Sequence, residues 1–453
     1  MWFRRIGWLL YQLLATLVLL AAAPVLLAGR GRHYLATLRG RLGYLDAADA
    51  PPSHPTGGVW VHAVSVGEVG VAATLIARLP QDLPLVVTTV TPTGQARARE
   101  LFLGSSGDRA VAYLPFDVGF AVRRFFRRFK PSLLILVEGD YWPLILETAQ
   151  RHEIPVAVVN GRVGERSSRH LRLLPRLSRH LFFDAVHRFA VQTEIDRQRL
   201  LAAGAEGERI HVVGNLKFDS TQPLVKPDLE ALIRRLAGGR PIILAGSTML
   251  GEDEILLDAL LCLEPGRPHL PNRPLLLIAP RHPERFDAVA RLARDRSLTC
   301  LRRSSVDLSS PEGTASTSDP HDGDGEAADV VLLDTLGELA SLYRIADIAF
   351  IGGTLVPTGG HNPLEPAQFA VPTVVGPSME NFREMAEHFD RADAWCRVAD
   401  GEKLAELWEQ WLGDPPAARR VGQRAAELLQ ANRGAIDRTL AVLDPWLPTT
   451  QPS

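Results

Sequence analysis

Glu68 is the first side chain in this sequence whose position suggests acid–base chemistry. It closes the run HAVSVGE (62–68), which overlaps the end of an apolar segment, Val59–Val64, with the pattern of a buried strand. A carboxylate between a strand end and a helix start could accept a proton from an attacking hydroxyl. The alternative is that Glu68 only stabilises the helix start electrostatically.

Glu138 and Asp140 form a second acidic group, directly after the apolar run Leu133–Val137. Two carboxylates this close are costly to bury unless cations or polar donors pair with them. Arg162 and Arg166, which follow the next predicted strand, are suitable partners. The two acids are therefore further catalytic candidates, and a solvated turn is the alternative.

Cationic and hydroxyl side chains follow predicted strands in the second half of the chain. Lysine is rare in this sequence, so Lys217 is a conspicuous candidate for binding a phosphate. Ser247 and Thr248 could wrap a phosphate or carboxylate, or they could only cap the next helix. Arg281 and His282 place two more cationic candidates at another strand end.

The stretch Ile351–Pro377 has an arrangement typical of an anion site. Two glycine pairs precede Asn362, the predicted N-cap of a helix, and Glu365 follows three residues later as in a capping box. Glycine N–H groups and a helix start favour a nucleotide phosphate here, and a well-capped helix without a ligand is the alternative. The turn Leu336-Gly337-Glu338 is a further candidate binding segment.

Regular alternation of strands and helices positions these residues. The predicted strands are Val59–Val64, Leu85–Val90, Ala110–Leu114, Leu133–Val137, Val156–Val159, Arg188–Gln192, Ile210–Val213, Ile242–Ala245, Leu275–Ala279, Val330–Asp334, Ile348–Ile351 and Thr373–Val375. The pattern predicts an α/β protein with two Rossmann-like domains, each built on a parallel sheet. Ligands in such sheets bind outside the carboxyl ends of the strands, and we expect the two domains to face a cleft that suits a two-substrate transfer.

The N-terminal segment predicts a membrane anchor. The run from Ile6 to Ala28 has no charged residue and is long enough to cross a bilayer, while the arginines after it predict a cytoplasmic body. A signal peptide and an interfacial helix are the alternatives. The predicted organisation is an anchor at 1–30, domains at 31–215 and 216–445, a disordered insertion at 304–329, and a tail at 446–453.

The composition is that of an ordinary globular protein. The 453 residues are 46% hydrophobic and carry a net charge of −2, so no global field favours nucleic acid. The three cysteines are widely spaced, which indicates neither a disulfide framework nor a metal site and fits a reducing compartment. The sequence has no P-loop motif and no metal-ligand spacing, so we expect a nucleotide-dependent transferase that uses no metal or other cofactor.

Six runs together resemble the 3-deoxy-D-manno-octulosonic acid (Kdo) transferases of lipopolysaccharide assembly. In that family's order they are HAVSVGE (62–68), TTVTPTG (88–94), NLKFD (215–219), PRHPERF (280–286), DTLGEL (334–339) and GGHNPLE (359–365). The resemblance implies a glycosyltransferase B fold and an inverting, metal-independent transfer of Kdo from CMP-Kdo to a lipid A precursor. It also implies an inner-membrane location with the catalytic domains on the cytoplasmic face. The domain at 31–215 would then bind the acceptor, and the domain at 216–445 the donor.

The resemblance also implies roles for individual residues. Glu68 matches the family's general base, and the positions that match those holding CMP are Lys217, Arg281, Leu336, Gly337, Glu338, Asn362 and Glu365. Ser247 and Thr248 fall where donor contacts are expected. One run departs from the pattern: the family usually shows Glu-Thr-Glu-Leu-Trp-Pro-Asn where this chain has EGDYWPL (138–144). That stretch belongs to the acceptor side, so the departure bears on the acceptor or on the number of sugars added.

Two other functional classes compete with this interpretation. Another sugar-nucleotide enzyme of the same fold, such as a hexosyl transferase or an epimerase, would need neither CMP nor a membrane anchor. A non-enzymatic binding protein would have no use for the complete HAVSVGE run. Competition between CMP and UDP for binding separates the first alternative from a Kdo transferase.

Overall fold

The computed structural model describes residues 32–44, 56–103, 108–219, 225–266, 270–306 and 328–447, together with residues 8, 11–13, 15–18 and 21. The chain divides into two compact units: unit 1 comprises 1–220 and 432–453, and unit 2 comprises 221–431. Most of the predicted anchor, insertion and tail lies outside the described residues. Within the described part of the chain, no helix is both long and apolar enough to cross a membrane.

Unit 1 is built on a seven-stranded parallel sheet. Its strands are β1 (Val59–His62), β2 (Leu85–Thr89), β3 (Arg109–Tyr113), β4 (Leu133–Val137), β5 (Val156–Gly161), β6 (Arg188–Val191) and β7 (Ile210–Val212). They lie in the order β3-β2-β1-β4-β5-β6-β7, with Val59 opposite Leu85 on one side and Leu133 on the other. The strand order reverses between β1 and β4, and ligands of such sheets bind at this kind of switch point.

Helices cover both faces of this sheet. They are α1 (Arg32–Arg41), α2 (Val66–Ile76), α3 (Pro92–Phe102), α4 (Gly119–Phe129), α5 (Pro143–Arg151), α6 (Glu165–Leu173), α7 (Pro175–Ser178) and α8 (Glu194–Ala202), and a π-helical turn spans Arg179–Phe183. Successive strand residues point to opposite faces, so Trp60 and Val61 on β1 belong to different hydrophobic clusters. Both faces are buried, which explains why the strands are continuous apolar runs rather than alternating ones.

The C-terminal end of the chain packs on unit 1. Helix α17 (Ala435–Leu443) shares a hydrophobic cluster with Leu216, and the Asp219 carboxylate accepts hydrogen bonds from the N–H groups of Gly434 (2.7 Å) and Ile436 (2.6 Å). The predicted boundary at 215/216 therefore differs from the division in the structure. Residues 216–219 and 432–447 fold with the first domain, because a buried leucine and a capping carboxylate hold them there.

Unit 2 has a second seven-stranded parallel sheet. Its strands are β8 (Ile242–Thr248), β9 (Leu275–Pro280), β10 (Cys300–Arg302), β11 (Val330–Leu332), β12 (Ile348–Ile351), β13 (Thr373–Val375) and β14 (Cys396–Arg397). The order is β10-β11-β9-β8-β12-β13-β14, so the switch point lies between β8 and β12. The prediction of two parallel α/β domains is confirmed, but it missed β10 and β14, which are short strands at the two edges of the sheet.

The helices of unit 2 are α9 (Pro227–Ala237), α10 (Glu252–Cys262), α11 (Phe286–Asp295), α12 (Leu339–Leu342), α13 (Leu364–Ala367), α14 (Arg383–Arg391), α15 (Gly401–Gly413) and α16 (Pro415–Asn432). A hydrophobic cluster packs on each face of the sheet, and successive residues of β8 belong to opposite clusters: Ile243 to one and Leu244 to the other. The sheet is thus held rigidly from both faces, and the loops at its carboxyl edge are left to form the site.

Candidate functional site

Glu68 lies at the carboxyl edge of the unit 1 sheet, in the first turn of α2. Its Oε2 accepts a hydrogen bond from the Val64 N–H (2.8 Å), and its Oε1 accepts one from the Ser65 hydroxyl (3.1 Å). Burial raises the pKa of the Glu68 carboxyl and the negative charge of Glu138 raises it further, whereas the Val64 and Ser65 hydrogen bonds lower it. The net direction is upward, which makes this carboxylate a stronger base than an exposed glutamate.

Glu138 follows β4 and is largely buried among cations. Arg162 Nε lies 2.8 Å from Glu138 Oε2 and Lys217 Nζ lies 3.2 Å from Oε1. The predicted pairing with Arg162 is therefore present. Lys217, which the sequence analysis assigned to the donor domain, belongs to unit 1 and pairs with this carboxylate. Since β1 and β4 are neighbours, Glu138 and Glu68 meet at the switch point.

Asp140 is held by two donors that the sequence analysis did not assign. His62 Nε2 lies 3.3 Å from Asp140 Oδ2, and the Trp142 indole N–H donates to the same oxygen at 2.8 Å. Burial acts to raise the pKa of Asp140, but the hydrogen bonds from His62 and Trp142 outweigh it and hold the pKa below its usual range. The imidazole of His62 is buried, and its Nδ1 lies 2.9 Å from the Thr88 hydroxyl. Asp140 is thus an oriented carboxylate that stays ionised and is a weaker base than an exposed aspartate.

Unit 2 contains a cavity of about 380 Å³ at the carboxyl edge of its sheet. It is lined by Gly246, Ser247, Arg281, Gly337, Leu339, Ala340, Tyr343, Ile351, His361, Asn362, Glu365 and Phe382. Gly246 ends the regular part of β8 and Ile351 ends β12, so the cavity lies at the switch point of the second sheet. Its size is within the range of about 300–1,000 Å³ that is typical of small-molecule sites.

The polar wall of this cavity combines one cation with neutral and acidic groups. Burial and the positive charges of Arg281 and His282 lower the pKa of His361 to about 4, so the ring is neutral at physiological pH. Burial raises the pKa of the Glu365 carboxyl, against the Asn362 hydrogen bond and the Arg281 charge. The cavity therefore offers Arg281 to an anion, and hydrogen-bonding groups to hydroxyls or a base edge.

The predicted capping box at Asn362 is wrong in its details. The helix α13 begins at Leu364 and has only four residues. Asn362 Oδ1 accepts from the Leu364 N–H (3.1 Å), and Glu365 bonds to the Asn362 side chain (3.4 Å) instead of the N-cap main chain. Pro363 cannot donate a hydrogen bond, and so short a helix has little macrodipole, so side chains rather than a helix start provide the polarity.

The loop at residues 353–355, which begins with the second glycine of the first pair, binds a carboxylate of the chain itself. The buried Glu252 accepts from Gly353 N (2.6 Å), Thr354 N (2.9 Å), Leu355 N (2.9 Å) and Met249 N (2.9 Å). The loop has the anion-binding geometry that the glycines predict, but a carboxylate of the chain occupies it. Glu252 is an unremarkable acid in the first turn of α10 when only the sequence is considered, so it was missed.

The main chain at the end of β8 is shaped by close contacts. Ser247 has a positive φ of 57°, which is uncommon for a residue other than glycine, and a Cβ on Gly352 would lie 2.2 Å from its carbonyl oxygen. A Cβ on Gly246 would lie 2.1 Å from the hydroxyl of Tyr343, a buried residue that the sequence analysis did not single out. Glycine is therefore required at both positions for the cavity wall to close.

Besides Lys217, which belongs to unit 1, four predicted binding residues do not line the cavity. Thr248 is buried and its hydroxyl donates to Asp253 at 2.6 Å. Glu338 is buried in contact with Arg303 and with the Thr335 hydroxyl. Leu336 is exposed to solvent, and His282 lies on the surface 3.8 Å from Glu284, although its charge reaches His361. Ser247, Arg281, Gly337, Asn362 and Glu365 are the predicted residues that the cavity brings together.

Comparison with known proteins gives consistent matches. A family profile described as 3-deoxy-D-manno-octulosonic-acid transferase (kdotransferase) matches residues 36–220. The 3-deoxy-D-manno-octulosonic acid transferase of Haemophilus influenzae is 34% identical over 430 residues, covering 93% of this chain and 94% of that protein. The enzyme of the same description from Bordetella pertussis is 36% identical over 408 residues, covering 88% of this chain and 89% of that protein. The crystal structure of the C-terminal CMP-Kdo binding domain of WaaA from Acinetobacter baumannii is 29% identical, covers 45% of this chain and 96% of that chain, and has a TM-score of 0.38.

Proposed function

The chain belongs to the 3-deoxy-D-manno-octulosonic acid (Kdo) transferase family of glycosyltransferases, which acts in lipopolysaccharide biosynthesis, and we propose that it transfers Kdo from CMP-Kdo to a lipid A precursor with inversion at the anomeric carbon. Glu68 is the general base of this reaction. The observation that carries the proposal is the state of that carboxyl: it is oriented by two hydrogen bonds, and its pKa is raised by burial and by Glu138.

The unit 2 cavity binds the donor in this proposal. Arg281 is its cation and faces the phosphate of CMP, while Asn362 and Glu365 hold hydroxyls or the base edge. The neutral ring of His361 can accept or donate one hydrogen bond without adding charge. In this scheme Arg281 neutralises the phosphate without a metal ion, and full activity after treatment with EDTA is the expected result.

The chemical step exchanges one bond at the anomeric carbon. A hydroxyl oxygen of the acceptor forms the new bond to that carbon while its proton passes to Glu68. The bond from the carbon to the phosphate oxygen breaks, and its electron pair leaves with CMP from the opposite face. The transition state resembles an oxocarbenium ion, as in inverting glycoside chemistry. Arg281 stabilises the charge that grows on the departing phosphate.

The acidic groups of unit 1 have different tasks. Glu138 keeps the Glu68 carboxyl basic through its negative charge, while its own charge is balanced by Arg162 and Lys217. A contact of Lys217 with the donor phosphate would require the lysine to exchange its partner Glu138. Asp140 stays ionised and is suited to accept a hydrogen bond from an acceptor hydroxyl. The enzyme acts at the cytoplasmic face of the inner membrane in this proposal, as the arginines after the N-terminal apolar run suggest.

The test is a mass assay with CMP-Kdo and a tetraacylated lipid A precursor. The wild type should add one or more Kdo units, each seen as one mass step, and absence of any gain with every acyl variant would overturn the proposal. E68Q should lower the turnover by about 10²–10⁴-fold, the usual contribution of a general base, and leave CMP binding unchanged. The matched variant E100Q, at an exposed glutamate of unit 1, should retain full turnover. If E68Q keeps its turnover, Glu68 is not the base.

A further inference from the structure

We propose that Thr88 is a positioning residue of the transfer reaction: its hydroxyl fixes the tautomer of His62, and His62 in that form orients Asp140 toward the acceptor. Thr88 on β2 lies directly opposite His62 on β1. The Thr88 hydroxyl lies 2.9 Å from His62 Nδ1, and His62 Nε2 lies 3.3 Å from Asp140 Oδ2. These two contacts connect the interior of the sheet with the acidic group that follows β4.

Trp60 sets the direction of the hydrogen bonds at the inner end. An indole N–H can only donate, and that of Trp60 donates to the Thr88 hydroxyl oxygen at 2.9 Å. The oxygen therefore accepts from Trp60, and its own proton is available for a second partner. Within the described part of the chain that partner is His62 Nδ1. A hydroxyl that donates to Nδ1 requires this nitrogen to carry no proton.

Asp140 sets the same direction at the outer end. Its carboxyl group is ionised, because the hydrogen bonds from His62 and Trp142 hold its pKa below the usual range, so its oxygens only accept. His62 Nε2, which faces Oδ2, must therefore carry a proton. A neutral imidazole has one N–H, so Nδ1 is again the unprotonated nitrogen. Both ends of this chain of contacts thus give the same Nε2–H tautomer.

A neutral His62 ring also suits the base beside it. A positive charge on His62 would lower the pKa of Glu68 and so weaken it as a base. The His62 side chain is 1% exposed, and burial disfavours its charged form, whereas 37% of the Asp140 side chain is exposed. Asp140 is thus accessible to a ligand, and a buried neutral ring holds it in place without adding positive charge near Glu68.

Removing the Thr88 hydroxyl should reverse the tautomer. The main-chain carbonyl of residue 88 lies 3.1 Å from His62 Nδ1 and remains in T88V. With no hydroxyl to donate, Nδ1 should take the proton and donate to this carbonyl. The lone pair of Nε2 then faces the Asp140 carboxylate and repels it, so Asp140 loses its orientation. In the proposed function, on which this last step rests, the acceptor hydroxyl then binds more weakly.

Nitrogen-15 NMR spectra of the full-length protein, labelled at histidine, test the tautomer without any measurement of activity. The His62 signals are identified by their loss in H62Q. At neutral pH the wild type should show a protonated Nε2 and an unprotonated Nδ1, T88V should show the reverse, and T88S, which keeps the hydroxyl, should show the wild-type pattern. T74V, the same substitution on helix α2, is the matched control and should change nothing. Two protonated nitrogens in the wild type, or the same pattern in T88V and the wild type, would overturn the proposal.

Kinetics test whether the tautomer matters for the acceptor. T88V leaves the buried N–H of Trp60 without its acceptor and costs stability for that reason alone, so W60F/T88V is compared with W60F. The KM for the lipid A precursor should be about tenfold higher in W60F/T88V than in W60F, as for the loss of one hydrogen bond, while kcat and CMP affinity stay the same. A role in stability alone would lower the unfolding temperature but leave this KM unchanged, and that result would overturn the positioning role. Absence of Kdo transfer in the wild type would refute the proposed function, whereas the NMR spectra decide on the tautomer independently of it.

Discussion

Replacing Glu252 by glutamine should loosen the loop that precedes His361 and Asn362 in the wall of the unit 2 cavity. Each of its two carboxylate oxygens accepts two main-chain hydrogen bonds. Oε2 accepts from the N–H groups of Met249 and Gly353, and Oε1 accepts from those of Thr354 and Leu355. Whichever oxygen the amide nitrogen replaces, two main-chain N–H groups, one buried and one half-buried, lose their acceptor and face another donor. A hydrogen bond to a charged group contributes about 1.5–3 kcal/mol, so E252Q should lower the free energy of unfolding by about 3–6 kcal/mol.

Urea unfolding of the full chain measures this loss, and calorimetric titration with CMP measures its effect on the site. The loop held by Glu252 leads directly to His361 and Asn362, so weaker CMP binding should accompany the lower stability. The control is E402Q, at an exposed glutamate in the first turn of α15, which should change stability by no more than about 0.5 kcal/mol. If E252Q matches that control, the loop N–H groups have other acceptors and the reasoning is refuted. If stability falls while CMP affinity stays constant, the loop does not shape the cavity.

Three more predictions follow from particular contacts. The value of kcat/KM should fall as pH falls through the raised pKa of Glu68, because the protonated carboxyl cannot act as a base. E138Q should move this fall to lower pH, because it removes a negative charge that raises the pKa of Glu68. A pH profile that is the same in E138Q and the wild type would show that Glu138 does not affect the Glu68 pKa. G246A should lower the free energy of unfolding by about 1–3 kcal/mol, because the added methyl group would overlap the Tyr343 hydroxyl. Removing that hydroxyl in the double variant G246A/Y343F should restore part of the lost stability. Equal unfolding temperatures for G246A and the double variant would contradict this contact. D219A should cost about 0.5–2 kcal/mol by removing the cap of the last helix and should speed proteolysis of the C-terminal segment, whereas unchanged cleavage would show that the cap is dispensable.

The strands were predictable because burial on both faces requires continuous apolar runs. All twelve predicted strands occur in the two sheets, with boundaries that differ by up to three residues. The missed strands, β10 and β14, have three and two residues and lie at sheet edges, where one partner strand is enough and the apolar pattern is weak. The acids after β1 and β4 were predicted to follow strand ends, as they do, but only the structure shows that these two strands are neighbours at the switch point.

The partners of the charged residues were not predictable in the same way. Lys217 follows the last strand of unit 1 and was assigned to the donor domain, but its amino group pairs with Glu138, 79 residues earlier in the sequence. Glu252 and Gly353 are likewise 101 residues apart. Such pairs form because desolvated charges must find opposite charges or donors in the folded chain, and no local pattern in the sequence records which one is within reach.

The sequence by itself determined the class of fold, the family and the edge of each sheet at which the candidate site residues lie, because apolar periodicity and motif order are local properties of the chain. Only the tertiary structure decided which side chains converge there. It placed the Glu252 carboxylate against the N–H groups of residues 353–355, turned Thr248 and Glu338 away from the cavity, and brought Tyr343 and His361 into its wall. The physical reason is that a close-packed interior has room for only one group at each point, and residues that are near in the fold, not in the sequence, decide which group it is.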